Sequence, residues 1–405
     1  MNPVNYIKQN GIKHTWDVFY EYKADILIQK FLMLFLRDKP LRDIIVIESH
    51  NDFDCNGGAF YDYLIDHGYN KKYKIVWLIK NTKLVPDKLP KNVEWVALFK
   101  PNIKKNYYKW IAKYFTSDCC CTPKLRRDQL SVFCSHGLTG FKKVKGKMTP
   151  PDSIDCILMP SENFAPIAAE QLNLEYPNKK FVYVGYPVHD LLYKSDRKEI
   201  LKITSQKYRK IIIWMPTFRR GITYKRNDSK KEQALGVPIL NTDGEYKTLN
   251  SYLRELNVLL IIKIHPMQDL CNLKITDQSN IRVLTGIRVK ELHIDNYRLL
   301  SCTDAMISDY SSAASEYLQL NRPIAYSTDD MEVYKLGFIV DDIHSLMAGP
   351  EIKNLCDMME FIKDVVDEKD DYEEKRLNLR KYFFKYHDNH CCERLAKLMG
   401  IENIS

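Results

Sequence analysis

Two histidines at the ends of apolar runs mark where this 405-residue chain can do chemistry. The run Val132-Phe133-Cys134 leads straight into Ser135-His136-Gly137-Leu138-Thr139-Gly140-Phe141-Lys142-Lys143, with Lys145, Gly146 and Lys147 following. Glycines permit tight turns and let main-chain amides approach a ligand. An imidazole beside several ammonium groups suits a general base working next to a phosphate. His136 is the first catalytic candidate, and Lys142 and Lys143 are candidates for phosphate contacts. A second apolar run, Leu259–Ile264, ends in His265-Pro266, with Lys263 just before. His265 mirrors His136 in the other half of the chain and is the second catalytic candidate.

Three further strand ends carry polar groups. Ala305–Ser308 is followed by Asp309-Tyr310-Ser311-Ser312 and a helical stretch. Asp309 or Ser311 can cap that helix, and its first amides with the Ser311 and Ser312 hydroxyls can hold an anion. Glu316 lies one turn further on and can accept hydrogen bonds from ribose hydroxyls. Ile211–Met215 leads to Pro216-Thr217-Phe218-Arg219-Arg220, where Arg219 can clamp a phosphate bidentately. Near the start, Asp52-Phe53-Asp54 has a D-x-D spacing, but so short a pattern often arises by chance, and no metal is expected. The adjacent Asn56-Gly57-Gly58 suits an acceptor-side loop, so Asn56 and Gly57 are acceptor candidates. His387, His390, Cys391 and Cys392 lack the second spaced pair that a tetrahedral zinc site usually needs.

The elements that must position these residues follow from the hydrophobic pattern. From Asp43 onward, short runs, most of them apolar throughout, alternate with mixed helical segments, as in parallel sheets covered on both faces. One series takes in Ile44–Ile47, Ile75–Ile79, Val93–Leu98, Leu130–Cys134, Ile157–Met159 and Phe181–Val184. A second takes in Ile211–Met215, Val258–Ile264, Ile281–Leu284, Ala305–Ile307 and Ile324–Tyr326. Two such series predict an α/β protein of two doubly wound domains facing across a cleft. The expected boundaries are a helical segment over 1–40, a first α/β domain over 41–195, a second over 205–385 and a closing helix over 386–405. The polar stretch from Asp190 to Arg209 reads as the linker, and Gly221–Glu245 as a mobile basic insertion. Apolar positions cluster between Tyr20 and Leu36, with Lys30 and Arg37 flanking the apolar face, and the segment reads either as a core-packing helix or as one lying on an anionic membrane.

Composition excludes several classes. Hydrophobic residues are 45% and charged residues 28%, which rules out disorder, collagen and a small disulfide scaffold. The excess of 61 Lys+Arg over 52 Asp+Glu, +9, favours an anionic partner without the concentrated charge of a nucleic-acid module. Eleven cysteines without an export signal point to a reducing cytosol. No G-x-x-x-x-G-K-[ST], G-x-G-x-x-G or G-x-S-x-G pattern occurs, which argues against P-loop NTPases, dinucleotide oxidoreductases and α/β-hydrolases.

Taken in order, these motifs resemble the CDP-glycerol glycerophosphotransferase family of teichoic acid primases and polymerases. The resemblance rests on His136-Gly137 with its lysines, Gly185-Tyr186-Pro187, Pro216-Thr217-Phe218-Arg219, His265-Pro266, Asp309-Tyr310-Ser311-Ser312 and Asn321-Arg322-Pro323-Ile324. It departs from the family where Leu138-Thr139-Gly140-Phe141 separates the His-Gly pair from the lysines, and where Asn389 stands for a glycine. The resemblance implies a GT-B fold with the acceptor on the 41–195 domain and the nucleotide on the 205–385 domain, and metal-independent, cofactor-free transfer of glycerol or ribitol phosphate from a CDP-alditol to a lipid-linked or glycan hydroxyl. It implies catalytic roles for His136 and His265, donor pyrophosphate at Ser311 and Ser312, and attachment to the inner face of the cell membrane. A GT-B glycosyltransferase using a nucleotide sugar, or a non-catalytic nucleotide-binding scaffold, are the alternatives.

Overall fold

The computed structural model describes residues 7, 11–119, 122–135, 137–138, 140–146, 148–194, 197–221 and 227–403. Thirteen named strands form two all-parallel sheets. The first holds β1 (Arg42–Glu48), β2 (Lys74–Ile79), β3 (Val93–Ala97), β4 (Ala112–Ser117), β5 (Leu130–Phe133), β6 (Cys156–Leu158) and β7 (Phe181–Val182), in the order β3-β2-β1-β4-β5-β6-β7. The second holds β8 (Lys210–Trp214), β9 (Val258–Lys263), β10 (Ile281–Leu284), β11 (Ala305–Ser308), β12 (Ile324–Ser327) and β13 (Glu351–Ile352), in the order β10-β9-β8-β11-β12-β13. Strand order reverses between β1 and β4 and again between β8 and β11. Open α/β sheets bind ligands outside the carboxyl ends of strands at such reversals.

The central strands are buried along most of their length: Ile44–Glu48, Ile75–Ile79, Ile211–Trp214 and Val258–Lys263. This explains their unalternating apolar composition. Helices cover both faces, several started by side-chain caps such as the Thr242–Glu245 capping box and Asn354.

Three expectations need correction. β4 is absent from the predicted strands because helix Ile103–Ile111 turns into it at Ala112 with no intervening Gly or Pro, and Lys113-Tyr114-Phe115-Thr116-Ser117 mixes polar and aromatic residues. It is nonetheless central, pairing with β1 and β5. The predicted linker is folded: helices His189–Leu192 and Lys198–Ile203 both pack on helix Asn296–Ser301 of the second domain. The insertion is only partly a surface loop. Residues 222–226 lie outside the described residues, but Leu235, Val237, Ile239 and Leu240 are core residues beside β8 and β9.

The chain crosses back at its end. Helix Cys391–Leu398 packs on helices Cys55–Asp66 and His189–Leu192 of the first domain, and its first amides, Cys391 and Cys392, donate to Asp190. At the other end, helix Ile12–Leu36 lies against helix Ile103–Ile111 through a Lys105–Asp25 ion pair and a hydrogen bond from Trp110 Nε1 to the Gln29 carbonyl.

Candidate active site

The second sheet's reversal point is built on a buried ion network. β8 delivers Thr217 and Arg219, and β11 delivers Asp309. Asp309 accepts from the Thr217 amide at 3.0 Å, the Thr217 hydroxyl at 2.7 Å and Arg219 Nη1 at 2.8 Å. Arg219 also grips Asp330 through Nε at 2.6 Å and Nη2 at 2.9 Å, with its guanidinium against the Tyr310 and Tyr334 rings. Burial alone would lower the Arg219 pKa, but the two carboxylates raise it and keep the group charged. The sequence expectation of phosphate contacts from Arg219 and Asp309 is corrected here. Arg219 is 2% exposed, and all three of its guanidinium nitrogens donate to Asp309, Asp330 or Thr217. Both residues shape the turn rather than face the cleft.

Beyond Asp309 the chain enters helix Ser312–Tyr317, capped by the Ser311 side chain, which accepts from the Ala313 amide at 3.3 Å. Ser311 and Ser312 are both half-buried at the cleft. The loop after β5 reaches this turn from the first domain. Phe141 donates its amide to the Tyr310 carbonyl at 3.2 Å and accepts from Ile339, while Lys143 donates to Gly337. A Cβ on Gly140 would lie 2.7 Å from the Ser312 nitrogen, so the two turns touch at a spot where only glycine fits without movement. His136, Thr139 and Lys147 lie outside the described residues. Their neighbours Ser135 and Gly137 both take positive φ, at 61° and 118°.

Lys142 Nζ sits 5.8 Å from the centroid of Phe218, whose ring lies 4.8 Å from that of His265. The first domain's lysine and the second domain's strand-end histidine thus flank one aromatic ring. His265 Nδ1 accepts from the Met267 amide at 3.1 Å, so the neutral ring carries its proton on Nε2 and presents a donor there. Lys143 is exposed at the rim.

Three more expectations change. Glu316 does not meet a ribose: it is 2% exposed, with one oxygen on the Leu138 amide at 2.6 Å and the other on His189 Nε2. Asn56, 1% exposed, spends its amide on the Cys134, Ser135 and Val188 main chain rather than on an acceptor. Gly57 donates to Asp118, and a Cβ there would lie 2.7 Å from Ser49 Cβ. Asp52 binds the Lys80 and Asn81 amides, and Asp54 caps helix Cys55–Asp66.

The sequence reading noted Lys263 only as a neighbour of His265 and gave it no role of its own. It ends β9 two residues before His265, is 6% exposed and makes no ion pair among the described residues. Burial lowers its pKa to about 8 despite the opposing charge of Asp54 from the first domain. Asp54 also helps raise Asp295 to about 6, after the larger effect of burial. A cation in the last strand position, pointing neither to solvent nor to a carboxylate, was the available signal.

With that geometry in hand, similarity to known proteins becomes informative. Residues 30–400 match the family described as CDP-glycerol:poly(glycerophosphate) glycerophosphotransferase. The chain belongs to this family. This glycerophosphotransferase family member is 27% identical over 363 residues to a teichoic acid poly(glycerol phosphate) polymerase of Bacillus spizizenii, covering 81% of this chain and 85% of that one. It is 27% identical to a teichoic acid glycerol-phosphate primase of Bacillus subtilis over 49% of this chain and 46% of the relative. It is 26% identical to the teichoic acid ribitol-phosphate polymerase TarL of Staphylococcus aureus over 68% of this chain and 48% of the relative. The match therefore spans most of one polymerase and about half of the other two proteins. The solved wall teichoic acid polymerase TagF superposes with a TM-score of 0.72 at 18% identity, covering 96% of this chain and 97% of that one. The fold of the family member is thus the GT-B-like arrangement that the motifs implied.

Proposed function

We propose that the protein transfers glycerol phosphate or ribitol phosphate from a CDP-alditol to a hydroxyl of a lipid-linked or glycan acceptor, with release of CMP. One observation carries the reading: the loop after β5 is docked on the Asp309–Ser312 turn through Gly140 and Phe141, while Lys142 lies over the Phe218 ring, which is tilted against His265. Groups suited to a diphosphate thus converge from both domains on one cleft.

The acceptor oxygen attacks the phosphorus that bears the alditol. The bond from that phosphorus to the bridging oxygen breaks, and the electron pair leaves with CMP. His136 takes the acceptor proton, a task suited to an imidazole at neutral pH. His265, donating through Nε2, and the Ser311 and Ser312 hydroxyls stabilise charge on the transferred and leaving phosphates. Lys263 supplies positive charge beneath them, and Lys142 and Lys143 line the entrance. Removing one such preorganised donor typically raises a barrier by about 2.7–4 kcal/mol.

The transfer takes place at a membrane face in this reading. Helix Ile12–Leu36 exposes Trp16, Phe19, Leu27, Phe31, Leu34 and Phe35, with Lys13, Lys23 and Lys30 exposed among them. No helix among the described residues is long and apolar enough to cross a membrane. An apolar surface studded with lysines matches the interface of an anionic bilayer.

The test is to incubate the protein and its His136→Ala variant with a lipid-linked glycerol phosphate acceptor and, in turn, CDP-glycerol, CDP-ribitol and a panel of nucleotide sugars, and to measure nucleotide release. CMP from a CDP-alditol, lost in the variant, is expected. Release from a nucleotide sugar alone, or full turnover by the variant, would overturn the assignment.

A further inference from the structure

The segment Gly185–His189 is tied through two side chains to the loop after β5, at Ser135 and at Leu138. Upstream, the Val188 amide donates to Asn56 Oδ1 at 3.1 Å, and Asn56 Nδ2 donates to the Ser135 carbonyl at 2.9 Å. Downstream, His189 Nε2 meets one oxygen of Glu316, whose other oxygen accepts from the Leu138 amide. Adjacent residues thus hold the main chain immediately before and shortly after His136, one through a side chain of the first domain and one through a side chain of the second.

The His189 link is built to be stiff. His189 is 1% exposed and Glu316 2%. The imidazole is held edge-on between Tyr186 and Phe384, with centroids 5.4 and 5.1 Å away. Its tautomer is set from behind. Gln319 Nε2 donates to the Tyr386 carbonyl at 3.0 Å and approaches His189 Nδ1 at 3.4 Å, while Gln319 Oε1 accepts from the Tyr193 hydroxyl. Nδ1 is therefore the acceptor, and Nε2 carries the proton toward Glu316. The carboxylate also explains the glycine after His136: a Cβ on Gly137 would lie 3.0 Å from Glu316 Oε1, at a φ of 118°.

We infer that His189 is a positioning residue: through Glu316 it fixes the Leu138 amide against the second domain, and so steadies the loop to which the transfer reading assigns the general base. The inference rests on the transfer reading above. A general base must be held at hydrogen-bond reach of its proton, and small misplacements from outside the site are costly.

Three proteins test it: wild type, His189→Leu, which cannot donate to Glu316, and His189→Gln, whose amide can. Two measurements are made on each, CMP release from CDP-glycerol or CDP-ribitol in the presence of a lipid-linked glycerol phosphate acceptor, and amide hydrogen exchange over residues 134–141 without any donor. In His189→Leu, kcat is expected to fall between about tenfold and a hundredfold with KM for the donor little changed, and exchange over 134–141 to quicken. His189→Gln is expected to restore most of both. Wild-type kcat and exchange in His189→Leu would overturn the inference. So would equal impairment of the leucine and glutamine variants, because packing alone would then explain the loss. Absence of CMP release from wild type sinks the transfer reading instead. The exchange data still decide whether His189 clamps the loop.

Discussion

Arg219 and Lys263 are both buried cations at the carboxyl ends of neighbouring strands, β8 and β9, and they have opposite surroundings. Arg219 meets two carboxylates and a threonine and is held charged. Lys263 meets no carboxylate within ion-pair reach among the described residues, and burial depresses its pKa to about 8. A basic residue at a strand end therefore does not by itself mark a phosphate site. What decides is whether the fold already supplies its counter-charge. A buried charge left incomplete is costly unless something else completes it, and in the proposed reaction that is the donor's diphosphate.

The sharpest way to break this comparison is to remove each cation. Arg219→Met leaves Asp309 and Asp330 buried without their partner, and should cost about 3–5 kcal/mol of stability. A denaturant titration reads this directly, and an unfolding midpoint near wild type would show that the network does not brace the turn. Lys263→Met should do the reverse. It removes a buried, poorly compensated amine, so stability should hold or rise, while affinity for the CDP-alditol drops about tenfold or more, roughly 1.4 kcal/mol. Calorimetric titration with donor against thermal melting separates the two effects. A variant that melts early yet binds normally would place Lys263 with Arg219 as a structural cation.

Titration sharpens the contrast further. A lysine moved from 10.5 to about 8 is protonated below about pH 8 in the folded protein and up to about 10.5 in the unfolded chain. Between those values the unfolded chain binds the extra proton, so this group's contribution to stability rises with pH through that window. Donor affinity should move the other way, weakening as the amine loses its proton above about pH 8. Lys263→Arg should flatten the affinity profile, since a guanidinium stays charged there. Donor dissociation constants measured from pH 7 to 9.5 check this, and a wild-type profile flat across that range would remove Lys263 from the diphosphate site.

The same distinction governs how much the sequence could reveal. Runs, most of them fully apolar, identified eleven strands and the two-domain plan, because a strand covered on both faces has no choice of residue type. β4 escaped because its burial is shared among Tyr114, Phe115, Thr116 and Ser117, which carry no periodic signal. His136, His265, Ser311 and Ser312 were singled out by residue type at strand ends, and they carry the proposed mechanism. The roles of Arg219, Asp309, Glu316 and Asn56 were misread because a polar residue's function depends on its partners. Those partners, Asp330, His189, Leu138 and Val188, are mostly distant in the chain and joined only by folding. Lys263 was given no role for the complementary reason: its significance is a missing partner, which no local pattern encodes.

A third class of cation completes the comparison and carries the smallest effect. Lys13, Lys23 and Lys30 are exposed on helix Ile12–Leu36, where water and salt already screen them. Each should leave folding and donor binding unchanged when replaced by glutamine. Their contribution should show only beside an anionic bilayer, at about 1 kcal/mol per residue. Lys30→Gln should therefore weaken sedimentation with phosphatidylglycerol vesicles several-fold at low salt and have no effect with phosphatidylcholine. Phe31→Ser, which removes apolar area instead of charge, should weaken binding to both. If Lys30→Gln and wild type bind anionic vesicles equally while Phe31→Ser does not, the helix is held by its apolar face alone, and the lysines around it are solvated surface.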